Sequence, residues 1–333
     1  MPATCIIDRP DLATVALAGN DVLRYLHAVS TQHTLDLVPG DATQALLLSP
    51  KGKIEFAFRL AVLEDGVLLD TEAATAGALA ERLARFVFRH DVTVGRPVAG
   101  AASLLGGAGD DLLAAAGLPV PAPGRAAVAG PELVLHRTPA GIDLVGPAAP
   151  SAAADLERAG AERRPATLWE PVRVAHGLPR AGHELTDDVL AEEAGLLGSH
   201  VHLDKGCYPG QETVARVHNL GQVPRRLAGL RFEPTAAGEP SRSLDAEPTG
   251  PGVPGRSLDT ERDAGDPGHD GLPAPRTDLV TDDGRRAGQL RSVVDHPRLG
   301  PIGLAYVRRA VDSGRLVRAG DRVATVVDLP FEA

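Results

Sequence analysis

The sequence predicts an α+β fold with two α/β lobes followed by a small C-terminal β-barrel. Short strands joined as hairpins are interrupted by single helical patterns over 13–94, and the same order of elements returns in shorter form over 98–145. Runs rich in valine and leucine and broken by glycine then fill 279–329. Hairpins with single helices favour α+β over a strictly alternating α/β sheet, and regular short strands are typical of a small barrel.

The elements of the first lobe follow from hydrophobic periodicity. An apolar strand at 13–19 precedes a helix in which Val22, Leu23, Leu26 and Val29 form one face, with Asn20 as its N-cap. Further elements are predicted by alternation and by glycine-containing turns. They are strands at 42–48, 54–63 and 67–69, a helix that opens at Thr75, and a strand at 91–94.

The second lobe is predicted to end in helices at 152–158 and 169–176, and a strand at 226–232 begins the barrel. Residues 233–277 contain eight prolines, seven glycines and no aromatic residue. Such a segment buries too little apolar surface to offset its ordering entropy, so we expect a disordered insertion that forms a long hairpin loop of the barrel. The predicted domains are therefore 1–222, with both lobes, and 223–333, the interrupted barrel.

Composition limits the classes of function. The chain has 333 residues, a net charge of −10 and two cysteines, Cys5 and Cys207. Its start, MPATCIIDRPD, lacks the basic and apolar regions of a signal peptide, and no run reaches the ~18 apolar residues of a membrane span. Two cysteines are too few for a disulfide framework. We expect a cytoplasmic protein without membrane contact or direct nucleic-acid binding.

The segment DKGCYPGQETVAR at 204–216 is the most informative part of the chain. Pro209 and Gly210 are the signature of a type II turn, and a helix is predicted to follow from Gln211. Cys207 then lies near the positive end of that helix and close to the Lys205 ammonium, and both stabilise a thiolate. We expect Cys207 to be a reactive thiol supported by Lys205, with a pKa below the ~8.5 of a free thiol.

These residues allow two alternative interpretations. A solitary cysteine is often an inert buried hydrophobe, which suits Cys5 in its apolar neighbourhood but not Cys207 in a polar loop. His200 and His202 lie close to Cys207, yet the sequence has no second paired cluster for a closed metal site. We therefore predict no metal site.

The octapeptide KGCYPGQE resembles the signature of YgfZ-type proteins, which belong to the folate-binding aminomethyltransferase-like superfamily. Further segments, SPKGKIEFAFRL, RFVFRHDVTV and WEPVRVAHGLPRAG, resemble other landmarks of that family, and GQLRSVV, IGLAYVRR and VVDLPF resemble the barrel shared with glycine-cleavage aminomethyltransferases. Besides Cys207 and Lys205, the resemblance assigns a motif loop. Its members are Gly206, Tyr208, Gly210, Gln211, Glu212 and Arg216.

The resemblance implies an aminomethyltransferase-like folate-binding domain, tetrahydrofolate or a derivative as ligand, and a role in assembly or repair of iron–sulfur clusters. Iron–sulfur proteins or their assembly machinery are the implied partners, and tRNA modification depends on some of these proteins. By position, the superfamily's pterin contacts fall on Asp143 and Arg173, and Trp169 lies one helical turn before Arg173. A carboxylate, a guanidinium fork and an indole face suit an aminopyrimidine ring.

One departure from the superfamily pattern bears on chemistry. Aminomethyltransferases place an acidic pair just after a Gly-Gly-Ile turn, and Phe56 and Ala57 stand at those positions here. Glu55 is one residue early, which on a strand points it to the opposite face. We therefore expect an iron–sulfur maturation factor; the alternatives are an aminomethyltransferase of glycine cleavage, or a folate-binding scaffold without thiol chemistry.

Overall fold

The computed structural model describes residues 4–122, 125–221, 223–233 and 271–332, so most of the predicted insertion lies outside the described residues. The helices are α1 (Val22–Val29), α2 (Ala73–Ala84), α3 (Gly109–Ala115), α4 (Ala149–Arg158), α5 (Trp169–Ala175), α6 (Leu197–His200) and α7 (Gln211–Leu220). The strands of the two lobes are β1 (Cys5–Asp8), β2 (Leu12–Ala18), β3 (Ala42–Leu48), β4 (Ile54–Leu63), β5 (Gly66–Glu72), β6 (Thr93–Val94), β7 (Val98–Ala99), β8 (Ala101–Leu105), β9 (Ala126–Val128), β10 (Val134–Thr138), β11 (Gly141–Val145) and β12 (Glu162–Arg164). The later strands are β13 (Arg225–Phe232), β14 (Asp278–Val280), β15 (Arg286–His296), β16 (Gly300–Arg308), β17 (Leu316–Ala319) and β18 (Arg322–Val327).

The first lobe is an antiparallel sheet with strand order β3-β4-β5-β2-β6, and α1 and α2 bury Tyr25, Leu26 and Leu79 against it. β3 and β4 have the predicted bounds, whereas α2 begins two residues before Thr75. The prediction of Asn20 as N-cap is wrong. Both N–H groups of Asn20 donate to the Asp91 carboxylate, because this partner approaches from beyond α2 and competes with the local cap.

The second lobe contains the strand order β12-β1-β8-β11-β10-β9. β1 precedes the first lobe in the chain, yet it lies inside this second sheet, parallel to β12 and antiparallel to β8. Ile6 and Ile7 are fully buried there, and Cys5 is 8% exposed. The two lobes are therefore interlocked by the start of the chain, which the sequence did not predict.

The last sheet is a closed barrel with the order β13-β16-β15-β14-β17-β18, and it confirms the predicted small barrel. β13 pairs with β16 and β18, not with β14. The insertion between β13 and β14 therefore connects strands that are not neighbours, and its prediction as a hairpin loop is wrong. The boundary at 222/223 stays a prediction, although every barrel strand lies after it.

Candidate functional site

A cavity of about 460 Å³ lies where β4 and β5 of the first lobe, β11 of the second lobe and helix α5 meet. Its volume falls within the roughly 300–1,000 Å³ of small-molecule sites. The three residues implied as folate contacts, Asp143, Trp169 and Arg173, all line this cavity. The fold therefore brings these three positions together, although they come from different elements.

Asp143 belongs to a charged network in the cavity wall. It is 4% exposed, and its carboxylate accepts hydrogen bonds from Ser103 Oγ at 2.5 Å and from Arg59 Nη1 at 2.7 Å. Arg59 also donates to Asp70 on β5 at 2.7 Å. Burial opposes ionisation of Asp70, but the charges of Arg59 and His136 prevail and lower its pKa to about 2. The Arg59–Asp70 pair is therefore ionised at neutral pH.

The Arg173 guanidinium is hydrogen-bonded to other residues of the chain. Nε donates to Glu170 at 2.8 Å, Nη1 donates to Leu178 O at 3.1 Å and to Glu184 at 3.2 Å, and Nη2 donates to Ser292 Oγ at 2.6 Å and to Glu170. The side chain is only 1% exposed. Because all five N–H donors of the group have partners, Arg173 anchors α5 to barrel strand β15 and holds the cavity wall.

The indole ring of Trp169 is in contact with the Arg9 side chain. The Arg9 guanidinium lies 3.6 Å from the ring centroid, within cation–π distance. Arg9 is itself held by two hydrogen bonds to Asp11, at 2.9 and 2.8 Å. Stacking of a ligand on Trp169 is therefore left to the ring surface that Arg9 does not cover.

Two polar cavity residues were not predicted from the sequence. Arg180 lines the cavity, and its buried Nε has no hydrogen-bond partner among the described residues. Glu72 accepts a hydrogen bond from Ala181 N–H at 2.6 Å, and burial raises its pKa to about 7. The signal that could have found Glu72 is its place at the end of the buried run VLLDTE, where β5 reaches the cavity.

Phe56 and Ala57 line the cavity at the positions where the superfamily pattern has its acidic pair. Glu55, the nearest carboxylate on β4, forms an ion pair with Arg82 of α2 at 3.1 Å. This strand therefore contributes apolar groups to the cavity at the two expected acidic positions.

The Cys207 loop, residues 204–211, holds an exposed cysteine between buried residues. Cys207 is exposed, whereas Lys205 and Tyr208 on either side are 5% and 8% exposed. Lys205 Nζ donates to Ser30 O at 2.6 Å and to His27 O, the carbonyls at the end of α1. Burial lowers the Lys205 pKa to about 8, so the ammonium is still the main form at neutral pH. Through these hydrogen bonds, Lys205 links the Cys207 loop to the end of α1.

The turn after Cys207 has the predicted conformation. Gly210 has φ of 82°, and Gln211 N–H donates to Tyr208 O at 3.3 Å, as in a type II turn. α7 then begins at Gln211, as predicted. A Cβ on Gly210 would lie 2.6 Å from Ser49 O, and one on Gly52 would lie 2.6 Å from Thr213 Cβ. The Cys207 loop is therefore packed tightly against the β3–β4 turn.

The remaining motif residues lie in or next to the Cys207 loop. Gln211 Nε2 donates to Lys205 O at 3.4 Å, and Gly206 lies against the His27 ring. Glu212 and Arg216 are exposed on α7, one helical turn apart. None of 204–216 lines the cavity. The candidate site thus consists of two separate places, the cavity and the thiol loop.

Among the described residues, no three His, Cys, Asp or Glu side chains are arranged to hold a metal ion. His200 lines the cavity, whereas His202 is exposed. Within the same residues, no helix is long and apolar enough to cross a membrane.

Comparison with known proteins places the fold. No protein-family model matches the chain. A chloroplastic Arabidopsis thaliana protein that is named as a transferase is 22% identical over 353 residues, 98% of this chain and 71% of that protein. The mitochondrial iron–sulfur cluster assembly factor IBA57 homolog of Phaeosphaeria nodorum is 33% identical over 89 residues, 26% of this chain and 22% of that protein.

The glycine cleavage system aminomethyltransferase T of Bartonella henselae superposes with a TM-score of 0.78. The match covers 99% of this chain and 86% of that chain at 19% identity. The chain therefore has the aminomethyltransferase-like fold, with mixed α/β sheets and a closed six-stranded barrel.

Proposed function

We propose that this chain binds tetrahydrofolate or a derivative in the cavity and uses the Cys207 thiol in the maturation or repair of iron–sulfur proteins. The observation that carries this proposal is that Cys207 is exposed while its neighbours in the loop are held in place by the protein. Lys205 and Tyr208 are buried, and Gly210 is packed tightly against the β3–β4 turn. Cys207, which lies between them, is exposed. A buried inert cysteine needs no such arrangement. The similarity to a named iron–sulfur cluster assembly factor supports the same function.

The residues of the cavity fit a folate. A reduced pterin is a flat ring with several hydrogen-bond donors and acceptors, and the cavity offers both the Arg180 guanidinium and the Glu72 carboxyl. We propose that Asp143 and Trp169 also contact the ring, while Arg173 positions the wall. When bound, tetrahydrofolate supplies one-carbon carrier chemistry. The chain's own residues bind and orient it and exclude water.

The partners that we propose are iron–sulfur proteins or their assembly machinery, including enzymes of tRNA modification. We place the protein in the cytoplasm, where two free cysteines stay reduced. Nucleic acid is not a proposed partner, since the net charge of −10 gives no overall basic field.

Cells that lack the chain are expected to lose activity of [4Fe–4S] enzymes and to keep glycine cleavage, because Phe56 and Ala57 stand at the acidic positions. Enzyme assays in extracts of the deletion strain, with and without the restored gene, measure both. Loss of glycine cleavage with intact [4Fe–4S] enzymes would support the aminomethyltransferase alternative instead.

A further inference from the structure

We propose that Glu72 of β5 exchanges a proton with the ligand in the cavity. The inference rests on the proposed folate binding and adds to it one residue, one chemical step and a pH dependence.

Glu72 lies on β5, the strand beside the expected acidic positions of β4. β4 and β5 are antiparallel and pair Arg59 with Asp70. One residue further along β5, Thr71 Oγ1 donates to Ala57 O at 2.8 Å. Glu72, the next residue along β5, is therefore close to Ala57 on the neighbouring strand. Both residues line the cavity, so the carboxyl group is displaced by one strand and still reaches the same space.

The Glu72 carboxyl group is buried and has few polar partners. The charged groups that face it are Arg180, Arg173 and Asp11. The five donors of Arg173 have other partners, and Asp11 is paired with Arg9. In the described part of the chain, Ala181 N–H is the only group that donates a hydrogen bond to the Glu72 carboxyl group.

Other carboxylates of this region are in ion pairs, as Glu55 is with Arg82 and Glu184 with Arg173. Glu72 forms no salt bridge among the described residues, and burial therefore favours its neutral form. A carboxyl group that is free to change its protonation state near neutral pH is suited to general acid–base chemistry.

The chemical consequence is a single proton transfer. A neutral Glu72 donates its O–H to a ring or amine nitrogen of a reduced pterin, and on transfer that O–H bond breaks as an N–H bond forms on the ligand. The reverse transfer restores the acid, so no other reactant is needed. The protonated enzyme binds the ligand better, because only this form has a donor to offer. Affinity is therefore expected to fall as the pH rises above 7.

Isothermal titration calorimetry with tetrahydrofolate and the full chain tests this step. At pH 7, titrations in two buffers of different ionisation enthalpy should show uptake of up to about half a proton per ligand. Between pH 7 and 9 the affinity should fall by up to about tenfold per pH unit. Glu72→Gln should bind without proton uptake and with an affinity that does not depend on pH. Glu64→Gln, in the exposed turn of the same hairpin, is the matched control and should behave like the unmodified chain.

The outcomes separate the two proposals. Binding without proton uptake by the unmodified chain, which needs no variant to observe, would overturn the role of Glu72 and leave folate binding intact. Equal uptake in Glu72→Gln would assign the proton to another group. Absence of tetrahydrofolate binding to the unmodified chain would overturn both proposals.

Discussion

Replacing Arg173 by methionine is expected to lower the free energy of unfolding by about 3–5 kcal/mol, because it leaves a buried carboxylate without its cation. Glu184 is 0% exposed and lies 3.2 Å from Arg173 Nη1. The variant also removes the donor to Ser292 on the barrel and the donors to Glu170 on α5. Urea unfolding followed by the fluorescence of Trp169, the only tryptophan, measures the loss.

The matched control is Arg180→Met, five residues beyond the end of α5. Arg180 also pairs with Glu170, at 3.2 Å, but its side chain is 32% exposed, and its Nε has no hydrogen-bond partner in the part of the chain that the structure describes. We expect this variant to lose less than about 1 kcal/mol of stability and to bind tetrahydrofolate more weakly. If Arg173→Met instead kept its stability and lost only tetrahydrofolate affinity, Arg173 would present its donors to the ligand, as the resemblance implies.

Gly210→Ala is expected to displace the Cys207 loop and to cost more than about 2 kcal/mol. Alanine at φ of 82° is strained by about 1–2 kcal/mol, and its Cβ would lie 2.6 Å from the Ser49 carbonyl oxygen. The β3–β4 turn and the Cys207 loop then have to separate. Hydrogen exchange of the amides in 204–211 and chemical denaturation report the two effects.

Gly221→Ala separates backbone strain from the packing contact. Gly221 is the C-cap of α7, the helix that follows Gly210, and has φ of 64°; among the described residues, no atom lies within 4 Å of a Cβ added there. It should cost about 1 kcal/mol and leave the amides of 204–211 protected. Equal losses of stability and protection in both variants would show that the contact with Ser49 does not hold the loop.

Much of the fold follows from local patterns in the sequence. β3 and β4 alternate between two faces, and a glycine-containing turn joins them, so their bounds are readable from a few residues. β1 could not be placed in this way, because its neighbours β8 and β12 lie far along the chain. The same limit explains Asn20, whose partner is 71 residues away, and the insertion, whose flanking strands pair elsewhere.

The same difference between local patterns and long-range contacts applies to the candidate site. The turn after Cys207 was predictable because Pro209 and Gly210 fix it locally. The contacts of Lys205 were not, since its ammonium reaches carbonyls 175 and 178 residues away. Lys205 was expected beside the thiol, and its ammonium instead donates to the carbonyls of His27 and Ser30 at the end of α1. The position of Glu72 in the cavity is also set by a distant contact, since its carboxyl group accepts from Ala181 N–H, 109 residues away.

The central claim is that the exposed thiol of Cys207 carries the function, and a comparison of two serine variants tests it most directly. In cells that lack the chain, Cys207→Ser should fail to restore [4Fe–4S] enzyme activity, while thermal melting of the purified variant stays unchanged because the side chain is exposed. Cys5→Ser, at the buried cysteine of β1, should restore activity as far as the variant folds. Full restoration by Cys207→Ser would contradict the claim and leave the loop as a docking surface without thiol chemistry.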